Sequence, residues 1–171
     1  ADKPQSCITA FLRAVIQEGG EHAAPELWTL QERTLAVCHY LMGVNPDQPN
    51  FAVGEFGTFL DYADLQSDLP KGTAQKPGEV GGMEGDTWAV HHLTGYMLEA
   101  IGGLMHAREV SVPNGCARMH WIFCAMGAQL VREGEEVPSW ETPGLYDDWL
   151  AARATRLLSL PESASAQLWV M

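Results

Sequence analysis

Lysine occurs only at positions 3, 71 and 76, and Lys and Arg together number 10 against 22 Asp and Glu, a formal net charge of -12. A surface that grips nucleic-acid phosphates or anionic lipid needs clustered cations, and the chain has no such cluster, so neither is expected as a direct partner. Long apolar runs are missing as well. Each hydrophobic stretch is broken by His, Arg or Gly short of the ~20 residues that a membrane span requires. Cysteine is sparse, with Cys7, Cys38, Cys116 and Cys124 in 171 residues. That density argues against a disulfide scaffold and for reduced, buried thiols, although Cys7 and Cys38 fall on neighbouring helical segments where a bridge is geometrically open. Glycine-rich dinucleotide or phosphate loops, His-Glu-x-x-His, Cys-x-x-Cys and Gly-x-Ser-x-Gly are all absent, which removes the common cofactor and hydrolase frames. Ala1 fits removal of either an initiator Met or a signal peptide and so assigns no compartment.

Against these absences stand 46% hydrophobic and 19% charged residues, near the average of globular domains. The length suits one core, so residues 1–171 are read as a single domain. Helical periodicity dominates. Ile8, Leu12, Val15 and Ile16 share a face before Gly19-Gly20. Leu27, Leu30, Leu35, Cys38 and Leu41 continue at helical spacing after Pro25, a favoured first helical residue. Phe56, Phe59, Leu60 and Leu65 suggest a third helix between the turn-forming run Asn45 to Asn50 and a Gly/Pro-rich loop from Pro70 to Asp86. The longest pattern runs from Asp86, a plausible N-cap, to Arg108, with Val90, Leu93, Met97, Ile101 and Leu104 in one stripe. Its other face carries His92, Gly95, Glu99, Gly102, Gly103 and His106, where small residues favour close approach of another backbone or a kink. Met119, Ile122, Phe123, Met126 and Leu130 define a further helix. A last one carries Leu145, Trp149, Ala152, Arg153 and Arg156, before an apolar tail ending in Leu168-Trp169-Val170-Met171. No alternating stretch long enough for a strand stands out. The expectation is an all-α, compact bundle of five to six helices with long Gly/Pro-rich loops, its core formed by 86–108 against 116–132.

Chemistry-bearing residues concentrate at Cys116-x3-His120-x3-Cys124. Residues four apart share a helix face, and thiolate with imidazole is a zinc-favouring set. Cys116 and Cys124 stand about 12 Å apart along a helix, too far for one ion, so a metal site pairs His120 with one of them and recruits His92 or His106. Cys116 also follows Asn114-Gly115 at an expected helix start, where the dipole favours a thiolate nucleophile, but no spacing selects its base. The plainer reading makes Cys124 a small buried hydrophobe and His120 an interior residue. No cofactor is specified.

Two stretches hold much of the negative charge without any Lys or Arg: Val44 to Pro70, and Glu133 to Asp148. A solvated, solubility-promoting surface accounts for them, and so does recognition of a cation. Trp140, one of six tryptophans, stands among Glu135, Glu136 and Glu141 in a Pro-containing loop and is expected to be exposed. These residues make a non-catalytic protein that binds a basic protein partner, with neutralisation as one outcome of that binding, the leading expectation. A metal- or thiol-dependent enzyme on Cys116 and His120 with His92 or His106 is the rival. A homo-oligomeric structural subunit is the third.

Overall fold

The computed structural model describes residues 4–16, 24–44, 78–79, 87–107 and 117–159 of the chain. Helix α1, Pro4–Val15, buries Thr9 and Leu12. Pro25 opens a single 3-10 turn, Pro25–Leu27, before α2, Leu30–Val44. The start of α2 is set by Thr29 and Glu32. The Thr29 N–H and hydroxyl donate to Glu32 Oε2 at 2.8 and 2.9 Å, while the Glu32 N–H donates back to the Thr29 hydroxyl at 3.2 Å. This reciprocal box satisfies groups that the first turn leaves free. Helix α3, Gly95–Ala107, follows Thr94, whose carbonyl accepts the Leu98 N–H at 3.0 Å. Helix α4, Ala117–Gln129, runs into a short strand, and α5, Pro143–Leu158, starts on a proline, whose missing N–H costs nothing there.

The described residues are mostly helical, as expected, but they include a small antiparallel sheet that the periodicity did not announce. Strands β1, Gly78–Glu79, β2, Thr87–Val90, and β3, Leu130–Arg132, lie in that order, with Trp88 opposite Arg132 and Val90 opposite Leu130. The helix expected from Asp86 therefore begins at Gly95, and 87–90 is extended. Val90 and Leu93 fit a helical stripe, yet Thr-Trp-Ala-Val is also a β-favouring run, and pairing with β3 decides it. The ladder continues through His91, whose N–H donates to Gln129 O at 2.8 Å while the Gln129 side chain returns a bond to His91 O at 3.1 Å. The proposed helix around Phe56 to Leu65 and the tail from Pro161 lie outside the described residues, as does most of the 70–86 loop.

Helices α3, α4 and α5 form the core. Met97, Ala100, Ile101 and Leu104 meet Cys124, Ala125 and Ala128 of α4 and Tyr146, Leu150 and Ala154 of α5. The buried face of α5 is thus Tyr146, Leu150, Ala154 and Leu157, one step round from the expected face: Leu145 is 63% exposed and Ala152 is on the surface. Trp88, Phe123, Leu130 and Leu157 make a second cluster, joining sheet to helices. Arg153 clamps the two. Its Nε donates to Gly127 O at 3.1 Å, its Nη atoms reach Leu130 O and Glu135, and its guanidinium lies 4.7 Å from the Trp149 ring centre and 5.4 Å from that of Trp88.

Helices α1 and α2 are attached through Arg33, which is 1% exposed. Its Nη1 donates to Pro25 O at 2.9 Å, and its Nη2 donates to Gln5 O and to the Thr9 hydroxyl, each at 2.9 Å. The start of α3 is held against this group by the Leu30 N–H to Leu93 O bond of 2.8 Å and the Gly95 N–H to Trp28 O bond of 2.9 Å. The close backbone approach expected of a small residue occurs at Gly95. Gly102, by contrast, faces open space. A Cβ on residue 95 would stand 2.0 Å from Arg33 Nη1 and 2.8 Å from Pro25 O. Gly95→Ala should accordingly destabilise the protein by about 3 kcal/mol or more, read as a fall in the urea midpoint, because it dislodges a buried cation from its acceptors. Gly102→Ala, on the same helix, should leave the midpoint unchanged or raise it.

Candidate functional site

A pocket of about 500 Å³ opens where α1, the 3-10 turn, α3 and the start of α5 converge. Its carboxylates are Glu26, Glu99, Glu141 and Asp147, and its aromatic walls are Tyr96, Trp140 and Tyr146. The turn before α5 presents two of these. Ser139 Oγ accepts the Glu141 N–H at 3.2 Å, and Ser139 O accepts the Thr142 N–H and hydroxyl at 3.0 and 2.9 Å. That bonding holds Trp140-Glu141 at the pocket.

Glu26 and Glu99 are fixed from below by Arg33. Thr9 accepts from Arg33 Nη2 and donates to Glu99 Oε1, and Ser6 donates to Glu99 Oε2 at 3.3 Å. Glu26 follows Pro25, whose carbonyl Arg33 also holds. Burial lowers the Arg33 pKa from its ordinary value, and the charges of Glu99 and Glu26 oppose that shift. Glu26 itself is 7% exposed. Its Oε1 is paired with Arg13, while its Oε2 is buried without a hydrogen-bond partner. Tyr146, 1% exposed, also carries a buried oxygen without a partner. Burial pushes its phenol far above the usual range, with Tyr96 and Asp147 adding to the effect, so it remains a neutral hydroxyl. Tyr96 packs edge-on against Tyr146 with ring centres 4.8 Å apart, and burial raises its pKa too. The lining thus offers anionic acceptors and π-faces together, the combination that suits organic cations.

The residues singled out from sequence are dispersed by the fold. Trp140 is half-buried in the pocket wall rather than exposed, because the Ser139 turn folds it inward; Glu141 stands exposed beside it. Glu136 is also exposed. Glu135 is engaged internally: it pairs with Arg153 and its Oε2 accepts the Arg132 N–H at 3.1 Å. The tight turn that brings it there uses Gly134 at φ +75°. His120 is buried, with an Nε2 that has no partner, and Cys124 is fully buried in the core. Burial raises the Cys124 thiol to about 11, the opposite of what a thiolate ligand needs. His92 precedes α3 and shares no helical face with Glu99, which correction follows from 87–90 being strand. Cys116 and the side chain of His106 lie outside the described residues. Among the described residues, no three His, Cys, Asp or Glu side chains gather closely enough to hold a metal ion. Cys7, Cys38 and Cys124 are free thiols. No helix of the described residues is long and apolar enough to cross a membrane.

Glu26, Glu99, Tyr96 and Tyr146 were not legible as a site because the pocket is assembled from segments far apart in sequence. No protein-family model matches the chain, and no curated protein or solved structure matches it either.

Glu135 supplies a pH-dependent element beside the site. Burial acts to raise its pKa, but hydrogen bonds from Arg153 and the Arg132 N–H, with both charges, hold it below the ordinary 4.5. A carboxylate depressed in the folded state stabilises fully above its ordinary pKa and loses that contribution as pH falls through the folded value. Denaturant midpoints measured from neutral pH down to about pH 3 should fall steeply below 4.5 in the wild type. Arg153→Met should lower the neutral-pH stability by about 2 kcal/mol and flatten that acid slope. An unchanged slope would show that the pair does not govern it.

Proposed function

We propose that the chain is a non-catalytic binding protein for a basic protein partner, one of whose cationic side chains enters the pocket between α1, α3 and α5. The observation that carries this reading is Glu26: a carboxylate 7% exposed, with one oxygen unmatched, in a pocket whose carboxylates outnumber its cations and whose walls are Tyr96, Trp140 and Tyr146. The net charge of -12 supports it from a distance, since a basic partner is drawn in before any contact forms. Glu136 and Glu141 contribute to that steering at the surface, and Trp140 acts after encounter as an aromatic anchor. Glu135 is better understood as part of the fold, because Arg153 already matches its charge. The enzyme reading on Cys116 and His120 gains no assembled donor set among the described residues. A cation-binding pocket also favours a partner over the apolar self-packing that a structural subunit requires.

The test separates rate from residence time. Association of the protein with a basic model protein, followed by stopped-flow fluorescence, should slow as salt shortens the Debye length below about 10 Å. Replacing Glu136 and Glu141 by Gln should reduce the association rate about threefold at low salt, and Glu136→Gln alone, outside the pocket lining, should leave dissociation little changed. Trp140→Ala should do the reverse, speeding dissociation about tenfold. An association rate indifferent both to salt and to the Gln changes would reduce the acidic surface to a solubility device and remove the proposal.

A further inference from the structure

Arg13 sits where a bound cation would. Its side chain is 61% exposed, yet it reaches from α1 to the Glu26 carboxylate, whose side chain is 9% exposed, and it lines the same pocket. The contact is one-sided: Nη2 of Arg13 meets Oε1, and Oε2 is left buried and unpartnered. A guanidinium and a carboxylate have matching forks, and their stronger arrangement uses both oxygens. Arg13 is tethered to α1 and leaves half of that capacity unused.

We infer that the pocket is a guanidinium site and that Arg13 is its resident internal ligand, displaced when an arginine side chain of the partner takes both Glu26 oxygens. The inference rests on the reading of the pocket as a cation site and adds to it both the ligand class and a built-in competitor. An incoming guanidinium is flat, and the rings of Tyr96 and Trp140 line the pocket that receives it, a surface that a compact ammonium group exploits less fully. Glu99, already accepting from Thr9 and Ser6, contributes its charge; Glu141 and Asp147 add theirs at the other wall. Arg33 lies behind with its Nη atoms committed to Pro25 O, Gln5 O and Thr9, so it positions the site and does not move with the ligand. The exchange requires that Arg13 swing into solvent, where most of its side chain already is, and that its departure uncover the buried Oε2. Arg13 is the exposed partner of the pair, and the incoming guanidinium replaces its charge at the buried Glu26, so the competitor weakens binding without abolishing it.

This arrangement predicts a sign that a purely structural ion pair would not give. The probes are the N-acetyl methylamides of arginine, lysine and citrulline, titrated into isotope-labelled protein and followed by amide chemical shifts. Arginine should shift amides around Glu26 and Tyr96 in the millimolar range, lysine should bind about tenfold more weakly, and the uncharged citrulline should give no saturable shift. Arg13→Met should raise the affinity for the arginine probe about two- to fivefold, because the probe no longer has to displace a resident side chain. Glu26→Gln should lower it about tenfold or more. Trp140→Phe, which keeps a π-face and a folded chain, should retain binding where Trp140→Ala weakens it. Equal binding of arginine and lysine, or an Arg13→Met variant with unchanged or weaker affinity, would overturn the guanidinium inference and leave a general cation site standing. No saturable shift from either cationic probe, in wild type and Arg13→Met alike, would sink both readings of the pocket.

Discussion

A buried guanidinium organises one half of this molecule. Removing a charge from water costs several kcal/mol unless its donors are met, and both Nη atoms of Arg33 are met by two backbone carbonyls and a hydroxyl drawn from α1 and the 3-10 turn, while its Nε stays buried without a partner. The fields of Glu26 and Glu99 add to this. Four chain segments are thereby located relative to one another by a single side chain: α1 through Gln5 and Thr9, the turn through Pro25, α2 through Arg33 itself, and α3 through Gly95, which must lack a Cβ to come so close. Apolar packing plays a smaller part here than in the other half, where Met97, Ile101, Leu104, Cys124 and Leu150 pack as an ordinary hydrophobic core.

The same side chain explains why the pocket is acidic. Glu26 and Glu99 stabilise Arg33 electrostatically, and Arg33 in turn holds the groups that orient them: the Pro25 carbonyl next to Glu26, and the Thr9 hydroxyl that donates to Glu99. Structural need and the proposed recognition therefore share residues. A buried cation requires anions nearby, and the anions it gathers exceed what it neutralises once Glu141 and Asp147 arrive with α5. A second arginine, Arg153, plays the corresponding role between α4, α5 and the sheet, but its carboxylate, Glu135, is consumed by the pair.

Helix content was legible because it is written in local periodicity: α1, α2, the Met97 to Leu104 stripe and the helix around Phe123 all follow from apolar residues three and four apart. The boundary at Gly95 was not, since Val90 satisfies the helical stripe as well as the β-ladder, and only the cross-strand partners at Leu130 and Arg132 break the tie. The start of α2 was within reach. Thr29-Leu30-Gln31-Glu32 has the Ser/Thr-x-x-Glu form of a capping box, and weight placed on Pro25 as a first helical residue hid it. The face of α5 was misplaced by one position because Tyr146, with its hydroxyl, competes poorly with Leu145 in an apolar count, yet is 1% exposed.

Legibility of the site fails for a different reason. Trp140 and Glu141 could be chosen from sequence because an aromatic among acids is a local pattern. Glu26 read as a helix-start acid and Glu99 as one polar residue on a face, and each of those readings is locally sound. What makes them a pocket is long-range: Ser6 and Thr9 lie more than ninety or exactly ninety positions from Glu99, and no spacing rule reaches so far. Metal and thiol motifs draw attention in a sequence because their ligands recur at short intervals, whereas a cation site built from carboxylates and π-faces needs no interval at all. Its signature is energetic, visible only as a buried carboxylate oxygen that the fold leaves unmatched at Glu26. Such an oxygen carries a standing desolvation cost, and Arg13, whose Nη2 already meets the other oxygen, leaves it unrelieved. That one-sided contact is the reason to assign the oxygen to a ligand instead of to the scaffold.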